Sequence, residues 1–426
     1  MNLIDSMELP QVAPSCDSGG RGRVLVVAPQ PFYEDRGTPI AVRHLVESLL
    51  ESGYAVDLLT YPIGADVDLG AAQVTRCRNL LGLKSVPVGF SWRKVILDLF
   101  MTVQLRNMLQ RADYCAVHAV EEMAFVAVAL AARHRLPVVY DMQSSLPDQL
   151  RANPVFRAAP IQRLLLRAER WLVGRADAVA CSAGLASYVR RVDARAAVVE
   201  WKFPGKWSAE LVDVRGPRAR DLGLRPDARV VLYTGTFATY QGLRLLIDAM
   251  VEVIAFEPDA VLVLVGATPG RGPPESANAA RLAASGHLIV VPRQPQARIP
   301  AFLAMAEILV SPRLYGDNVP LKIFEYLRAG RPIVATDTTG HRSVLSDDVA
   351  VLVGRDAKSM AAGIIRLLAN PDLGRMLAGR AKDHAVTEEP FPALVSRLYD
   401  RVLSAGGATA LPVADVARSR TGDTGP

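Results

Sequence analysis

Short apolar runs alternate along this chain with longer segments whose apolar positions recur at helical spacing. The run Val24–Pro29 predicts a buried strand, and Pro39–Ser52 predicts a helix that has Thr38 as its N-cap and ends at Gly53. Such alternation is typical of parallel sheets joined by crossover helices. Further strands are predicted at Ala55–Thr60, Tyr114–His118, Val138–Met142, Ala178–Cys181 and Ala197–Val199, with helices at Arg93–Gln110, Glu121–His134 and Ile161–Val173.

The alternation is interrupted once and then resumes. Pro204, Gly205, Gly216 and Pro217 lie close together, so residues 201–220 are predicted to form a linker. The second series predicts strands at Val230–Thr234, Ala260–Val265, Leu288–Val291, Ile308–Ser311, Pro332–Thr336 and Ala350–Val353, with helices at Leu243–Ala255, Ile299–Ala306 and Leu321–Ala329.

Two such series predict an α/β fold made of two doubly wound, Rossmann-like domains that face a cleft. The predicted domains are residues 23–200 and 221–387. We expect a disordered leader at 1–22, a final helix at 388–405 that could cross back to the first domain, and a disordered tail at 406–426.

The composition agrees with a globular protein of this size. The 426 residues fit two domains of about 200 residues each, and 50% of them are hydrophobic and 22% charged. The best candidate for a membrane span, Ala116–Ala132, is interrupted by His118, Glu121 and Glu122, so no span is predicted. The cysteines lack the spacing of a metal site or a disulfide framework, which indicates reduced thiols and a cytoplasmic protein; they are Cys16, Cys77, Cys115 and Cys181.

The charge of the chain limits its partners. A net charge of +6 suits anionic partners such as nucleotide phosphates or an acidic membrane surface. No cluster of aromatic and basic residues indicates binding to nucleic acid. Ser91–Phe100 mixes basic, aromatic and apolar residues at the start of a helix, which leaves two interpretations open: peripheral contact with a membrane, or a core-facing helix with a basic first turn.

The densest polar signal is the segment Tyr315–Val334, which predicts a strand end, a polar loop and a short helix. On that helix Lys322 and Glu325 lie three positions apart and share a face. Amide groups at a helix start bind anions or hydroxyls, and ligands of open α/β sheets lie beyond the strand ends. We therefore predict a polar ligand bound by Asp317, the loop amides, Lys322 and Glu325; the alternative is a capped amphipathic helix with a solvated polar face.

This segment resembles the family-4 retaining glycosyltransferases of the GT-B fold. In that family two glutamates eight positions apart bracket such a loop, ahead of a helix and an Ala-Gly-x-Pro-Ile-Val strand, and Asp317 and Glu325 occupy their positions. The resemblance implies that Glu325 binds the ribose of a nucleotide and that Asp317, one methylene shorter than glutamate, contacts the donor sugar. It also implies a UDP- or GDP-linked sugar as co-substrate, with no metal or other cofactor.

The segment Val231–Leu243 resembles the strand, glycine loop and helix that open the C-terminal domain of this family. The family usually places an arginine near Thr236 and a lysine near Gln241 to neutralise the diphosphate, and both are absent here. Lys322 or Arg244 is the expected substitute; the alternative is weak phosphate stabilisation. The donor-binding residues implied by the resemblance are Gly37, Gly235, Thr236, Gln241, Gly242, Asn318, Val319, Lys322 and Glu325.

The first domain carries the remaining candidates. The segment Tyr33–Pro39 resembles the loop that reaches over the donor phosphate and the acceptor, and Val117–Glu122 matches a histidine near the reacting centre. The resemblance implies His118, Asp317 and Glu325 as catalytic residues; a structural histidine is the alternative. The implied acceptor-side residues are Arg36, Thr38, Glu121, Asp141 and Gln143.

The resemblance covers about residues 23 to 400 and implies hexosyl transfer to an acceptor hydroxyl with retention of configuration, in glycan, glycolipid or polysaccharide synthesis. It leaves the acceptor open, including a lipid-linked one met at a membrane. Asp66 and Asp68 imitate the metal-binding aspartates of another glycosyltransferase fold but lie in a polar loop, so we expect solvated surface there. Two rival interpretations are another GT-B enzyme, such as a sugar-nucleotide epimerase or a phosphorylase, and a non-catalytic sugar-nucleotide-binding module.

Overall fold

A computed structural model describes residues 21–34, 37–80, 82–86, 91–150, 154–201, 219–268, 270, 272–386 and 390–406. The predicted leader up to residue 20, most of the predicted linker and the tail after residue 406 lie outside the described residues.

The first domain is a seven-stranded parallel sheet with helices on both faces. Its strands are β1 (Arg23–Ala28), β2 (Ala55–Thr60), β3 (Gln73–Arg76), β4 (Ala116–Val120), β5 (Val138–Met142), β6 (Ala178–Ser182) and β7 (Val198–Trp201). They lie in the order β3-β2-β1-β4-β5-β6-β7. Its helices are α1 (Gly37–Glu51), α2 (Trp92–Arg111), α3 (Met123–Ala131), α4 (Leu146–Leu150), α5 (Ala159–Val173) and α6 (Ala183–Val192).

The second domain repeats this plan with six parallel strands. They are β8 (Arg229–Thr234), β9 (Ala260–Ala267), β10 (Leu288–Pro292), β11 (Ile308–Ser311), β12 (Ile333–Thr336) and β13 (Val351–Val353), in the order β10-β9-β8-β11-β12-β13. Its helices are α7 (Leu243–Phe256), α8 (Ala277–Ala284), α9 (Ile299–Met305), α10 (Leu321–Arg328), α11 (Thr339–Arg342), α12 (Ala357–Ala369) and α13 (Pro371–Val386). The predicted fold class, two doubly wound domains, is confirmed.

The last helix, α14 (Phe391–Gly406), follows α13 in the chain but packs on α1 and β7 of the first domain. The Tyr399 hydroxyl lies 3.0 Å from Nδ1 of His118 on β4, and the rings of Phe391 and Trp201 are 4.9 Å apart. The chain therefore passes from the first domain to the second and returns.

Within the described residues no helix is both long and apolar enough to cross a membrane.

The structure corrects three predictions of local structure. The edge strand β3 was not predicted, because its side chains are exposed or half-buried and carry no apolar alternation. The first helix begins at Gly37, so Thr38 lies in its first turn and is not the N-cap. The helix predicted from Glu121 begins at Met123, because β4 continues to Val120 and Glu121 adopts a left-handed backbone with φ of 52°.

We expect Tyr399→Phe to lower the free energy of unfolding by about 1–3 kcal/mol, because it leaves the buried His118 ring without its hydroxyl partner. Urea denaturation measures this change. Tyr315→Phe, at an exposed ring, is the control; equal losses in the two variants would contradict a specific contribution of this hydrogen bond.

Candidate active site

The carboxyl-terminal strand edges of the two sheets meet at one close contact. α6 follows β6 directly, and a Cβ at Gly184 in its first turn would overlap the backbone carbonyl oxygen of Asp317, in the loop after β11. α6 also contacts α11. Since β5 and β4 are the next strands in the first sheet, the loops that follow them lie at the same edge as Gly184. Ligands of parallel sheets bind beyond such edges, so the region around this contact is the candidate ligand site between the domains.

Arg313 shapes the Asp317 loop, although the motif did not single it out. Its buried guanidinium donates from Nε to the carbonyl of Tyr315 at 2.9 Å, and to the carbonyl and side-chain oxygens of Asn318 at 3.1 and 2.5 Å. The guanidinium also lies 5.3 Å from the centre of the Tyr240 ring. Because one rigid donor group binds three loop oxygens, the loop is held ready before any ligand arrives.

Lys322 places its amine over the glycine loop that follows β8. Its Nζ lies 3.3 Å from Oε1 of Gln241, and a Cβ at Gly235 would be only 2.7 Å from it. Gly235 has a φ of 134°, which favours glycine. The amine thus lies beside position 241, whereas Arg244, the other expected substitute, is paired with Asp248 at 2.9 Å on α7.

The surroundings of Lys322 favour an anion at this loop. The amine lies 3.8 Å from the centre of the Tyr233 ring, within cation–π range. Burial, and after it the charge of Arg313, hold the pKa of Lys322 well below its ordinary value. A phosphate bound at the glycine loop would stabilise the ammonium form and relieve this penalty.

Glu325 lies one turn after Lys322 on α10 and accepts a hydrogen bond from Nε2 of Gln296. Burial raises the pKa of Glu325 to about 7, even though the hydrogen bond from Gln296 and the charge of Lys322 act in the opposite direction. A carboxylate in such a place accepts hydrogen bonds strongly, since it lacks part of its hydration. Gln296 was not predicted, because its loop is distant in sequence.

Three further residues that were predicted to bind the donor lie in these two loops. Thr236 is exposed at the rim of the glycine loop, and its carbonyl accepts from the Tyr233 hydroxyl at 2.7 Å. Gly242 ends the loop with a φ of 73°, and a Cβ there would overlap the Pro312 carbonyl. The side chain of Val319 is buried in the core, so this residue can offer a ligand only its backbone.

On the first-domain side, Glu121 lies at the strand edge in a left-handed conformation that few non-glycine residues adopt. Its amide donates to the Asp141 carbonyl at 3.0 Å, and its carboxylate accepts from Ser144 Oγ at 3.3 Å and from Gln149 Nε2. Burial, and after it the charge of neighbouring Glu122, raise the pKa of Glu121 to about 8. These residues form a polar cluster, of which Gln149 and Ser144 were not predicted from the sequence.

Asp141 and Gln143 belong to the same polar cluster, with Gln143 Nε2 donating to Asp141 Oδ1 at 2.6 Å. His118 lies beside Asp141 and is buried within the first domain. It is 0% exposed in the middle of β4, where alternate residues point to the face covered by α14, and its Nε2 lies 3.5 Å from Asp141 Oδ2. These contacts fit the alternative of a structural histidine, and the role of His118 near the reacting centre stays a prediction.

The other residues singled out in the first domain lie at the start of α1 or in exposed loops, apart from one that the structure does not describe. Gly37 and Thr38 form the amino-terminal turn of α1, and open space surrounds a Cβ at Gly37. Arg36 lies outside the described residues. Asp66 is fully exposed and pairs with Arg76 at 2.8 Å, as expected for solvated surface. In the part of the chain that the structure describes, no group of His, Cys, Asp and Glu could hold a metal ion.

Comparison with known proteins assigns a class to each domain. Residues 36–201 match the domain model described as "Glycosyl transferase 4-like domain", and residues 228–370 match the one described as "Glycosyl transferases group 1". Solved structures show the same arrangement over nearly the whole chain. Two regions of the chain are therefore similar to glycosyltransferase domains, one region in each half of the structure.

Individual relatives and structures agree with this class. The chain is 28% identical over 189 residues to the phosphatidyl-myo-inositol mannosyltransferase of Mycolicibacterium smegmatis, and 31% identical over 170 residues to the D-inositol 3-phosphate glycosyltransferase of Segniliparus rotundus. These matches span 43% and 39% of this chain, and 48% and 38% of the relatives.

Among solved structures, sucrose-phosphate synthase of Thermosynechococcus elongatus aligns over 90% of this chain and 100% of its own, at a TM-score of 0.71 and 20% identity. Anabaena HepE in complex with UDP-glucose aligns over the same shares at a TM-score of 0.66 and 16% identity. At this level of identity the two structures establish the fold.

We expect Glu325→Gln to stabilise the protein in a pH-dependent way. The pKa of Glu325 rises from its ordinary 4.5 to about 7 on folding, so its ionisation costs stability increasingly as the pH rises between these values. The variant should therefore gain roughly 2–3 kcal/mol more in free energy of unfolding at pH 8 than at pH 5.

Urea denaturation at the two pH values measures the gain. Glu252→Gln, at an exposed carboxylate on α7, serves as the control and should show no such trend. A gain of the same size at both pH values would show that ionisation of Glu325 is not its cause.

Proposed function

We propose that this protein transfers a hexosyl group from a nucleotide sugar to an acceptor hydroxyl, with retention of the anomeric configuration. The observation that carries the proposal is the convergence on α10: Lys322 reaches the glycine loop, Glu325 lies one turn further on, and the Asp317 loop faces the first domain. A diphosphate, a ribose and a sugar need these three kinds of group at neighbouring positions.

Each part of the donor has a defined partner in this proposal. Glu325 accepts hydrogen bonds from the ribose hydroxyls, and Asp317 with Asn318 orients the sugar. The amides of the Gly235 loop and the amine of Lys322 bind the diphosphate and stabilise the charge that develops as it leaves. The complex of HepE with UDP-glucose supports a UDP-linked hexose as the first donor to test.

The acceptor side lies across the cleft, at Glu121, Asp141 and Gln143. An acceptor hydroxyl held there attacks the anomeric carbon on the face from which the diphosphate departs. A bond from the acceptor oxygen to this carbon forms as the bond to the phosphate oxygen breaks, and a departing phosphate oxygen takes the acceptor proton. This route needs no nucleophile from the protein, and closure of the two domains would exclude water.

The names of the relatives in Mycolicibacterium and Segniliparus include mannosyl or glycosyl transfer and inositol compounds. They support a hexosyl donor, with a polyol or glycolipid acceptor as the first class to test. A non-catalytic binding module remains the second candidate, because Thr236 and Gln241 replace the charged residues that are usual in the family.

A donor screen tests the function. Purified protein is incubated with UDP-, GDP- and ADP-sugars, with and without membrane lipid extract, and nucleotide release is followed. We expect release of one nucleotide, and a loss of at least about a hundredfold in Glu325→Ala. Glu252→Ala, at an exposed carboxylate, should keep full activity. Binding of a donor without release in any mixture would favour the binding module.

A charge transposition tests the role of Lys322. Lys322→Gln should reduce kcat about 10²–10³-fold, because the leaving diphosphate loses its cation. Since Nζ of Lys322 and Oε1 of Gln241 are 3.3 Å apart, adding Gln241→Lys should restore part of that activity. Arg244→Gln is the control and should stay near wild type. If the double variant still binds the donor but regains no activity, the role of Lys322 is not purely electrostatic.

A further inference from the structure

Helix α2 has two apolar faces on opposite sides. One face is buried in the first domain and comprises Leu97, Met101, Leu105 and Leu109. The other face points to solvent, with Trp92 74%, Leu99 62% and Val103 54% exposed, and Val95 and Ile96 also exposed. An ordinary surface helix has one apolar stripe and one polar face, so a second stripe that runs for three turns needs an explanation.

Helix α5 continues this apolar surface. Leu164 is 63% and Trp171 40% exposed, seven positions apart and so on one side of the helix. α3 packs between α2 and α5, and the ring of its Phe125 stacks on Trp171 at 6.1 Å. More than half of the exposed large apolar side chains in the described residues lie on α2, on α5 or in the turn before α5. We call the outer side of α2, α3 and α5 the three-helix surface.

The exposed charged side chains of the three-helix surface are positive. Arg163, Arg167 and Arg170 are exposed on α5, and Arg93 and Arg106 are exposed on α2. α2 and α5, which the structure describes in full, each contain one acidic residue. Asp98 is half-buried and accepts from the Tyr61 hydroxyl at 2.5 Å, and Glu169 is buried. Exposed apolar rings surrounded by arginines complement a bilayer with anionic headgroups.

We propose that the three-helix surface docks on an anionic lipid bilayer, with Trp92, Leu99, Leu164 and Trp171 in the interface and the arginines among the headgroups. The first turn of α2 is tied to the acceptor-side edge, since Lys94 pairs with Glu122 at 2.7 Å, next to Glu121. A docked protein would thus hold that edge beside the membrane. The docking itself lies outside the donor site and does not depend on the proposed reaction.

Vesicle flotation tests the docking with the full chain and without a donor. Wild-type protein should float with vesicles of equal parts phosphatidylcholine and phosphatidylglycerol, and much less with phosphatidylcholine alone. Trp92→Ala with Leu99→Ala should weaken partitioning about tenfold or more. Arg163→Glu with Arg167→Glu should weaken it at least about fivefold per position, with an effect that shrinks at high salt.

Matched controls lie on the second domain. Phe256→Ala replaces an exposed aromatic residue of α7, and Arg281→Glu reverses an exposed charge of α8. Both should float like wild type. The proposal is overturned if wild type does not float, or if the control variants lose as much binding as the α2 and α5 variants. It is equally overturned if the α2 variant instead abolishes a dimer seen by sedimentation in the absence of lipid, which would make a second copy the occupant.

Discussion

The return of α14 to the first domain is the constraint on which the arrangement of the two sheets depends. The chain passes from β7 towards β8 once, and a single connection would leave the domains free to choose their relative orientation. α14 adds a second connection, closed by Tyr399 against His118 and by Phe391 against Trp201. One apolar cluster accordingly contains residues of both sheets. The histidine next to Asp141 therefore serves the assembly of the cleft by joining the last helix to the sheet.

The cleft combines two charged groups that are unfavourable in the free protein. Burial lowers the pKa of Lys322 and raises that of Glu325, so each group is held in a place that disfavours its charge. Folding alone gives no reason to retain them. In the proposed donor complex, the diphosphate would supply the anion that Lys322 lacks, and the ribose hydroxyls would donate hydrogen bonds to Glu325. Binding would therefore reduce the cost of burying both groups. Arg313 contributes differently: its donors are already used on the loop, and it fixes geometry.

The sequence predicted the strands and most helices because buried parallel strands and amphipathic helices have periods that can be read directly. It singled out the segment around Asp317 and Glu325 as the candidate donor site, and the position of Lys322 beside Gln241 favours one of the two substitutes considered. It could not separate a cleft histidine from a core histidine, since the face of β4 that holds His118 is covered by a helix more than 270 residues away in sequence. Gln296 and Gln149 were missed for a similar reason: only tertiary contacts bring them to the carboxylates.

The glycine at 184 has a consequence for how the halves of this molecule could be exchanged. Its missing side chain leaves room for the backbone of the Asp317 loop, and any larger residue would act as a wedge between the domains. At this contact, the approach of the two halves therefore depends on the absence of a single methyl group. A first domain from a relative with a bulkier residue at this point would join this second domain only with a wider opening. The two domains are matched in shape as a pair.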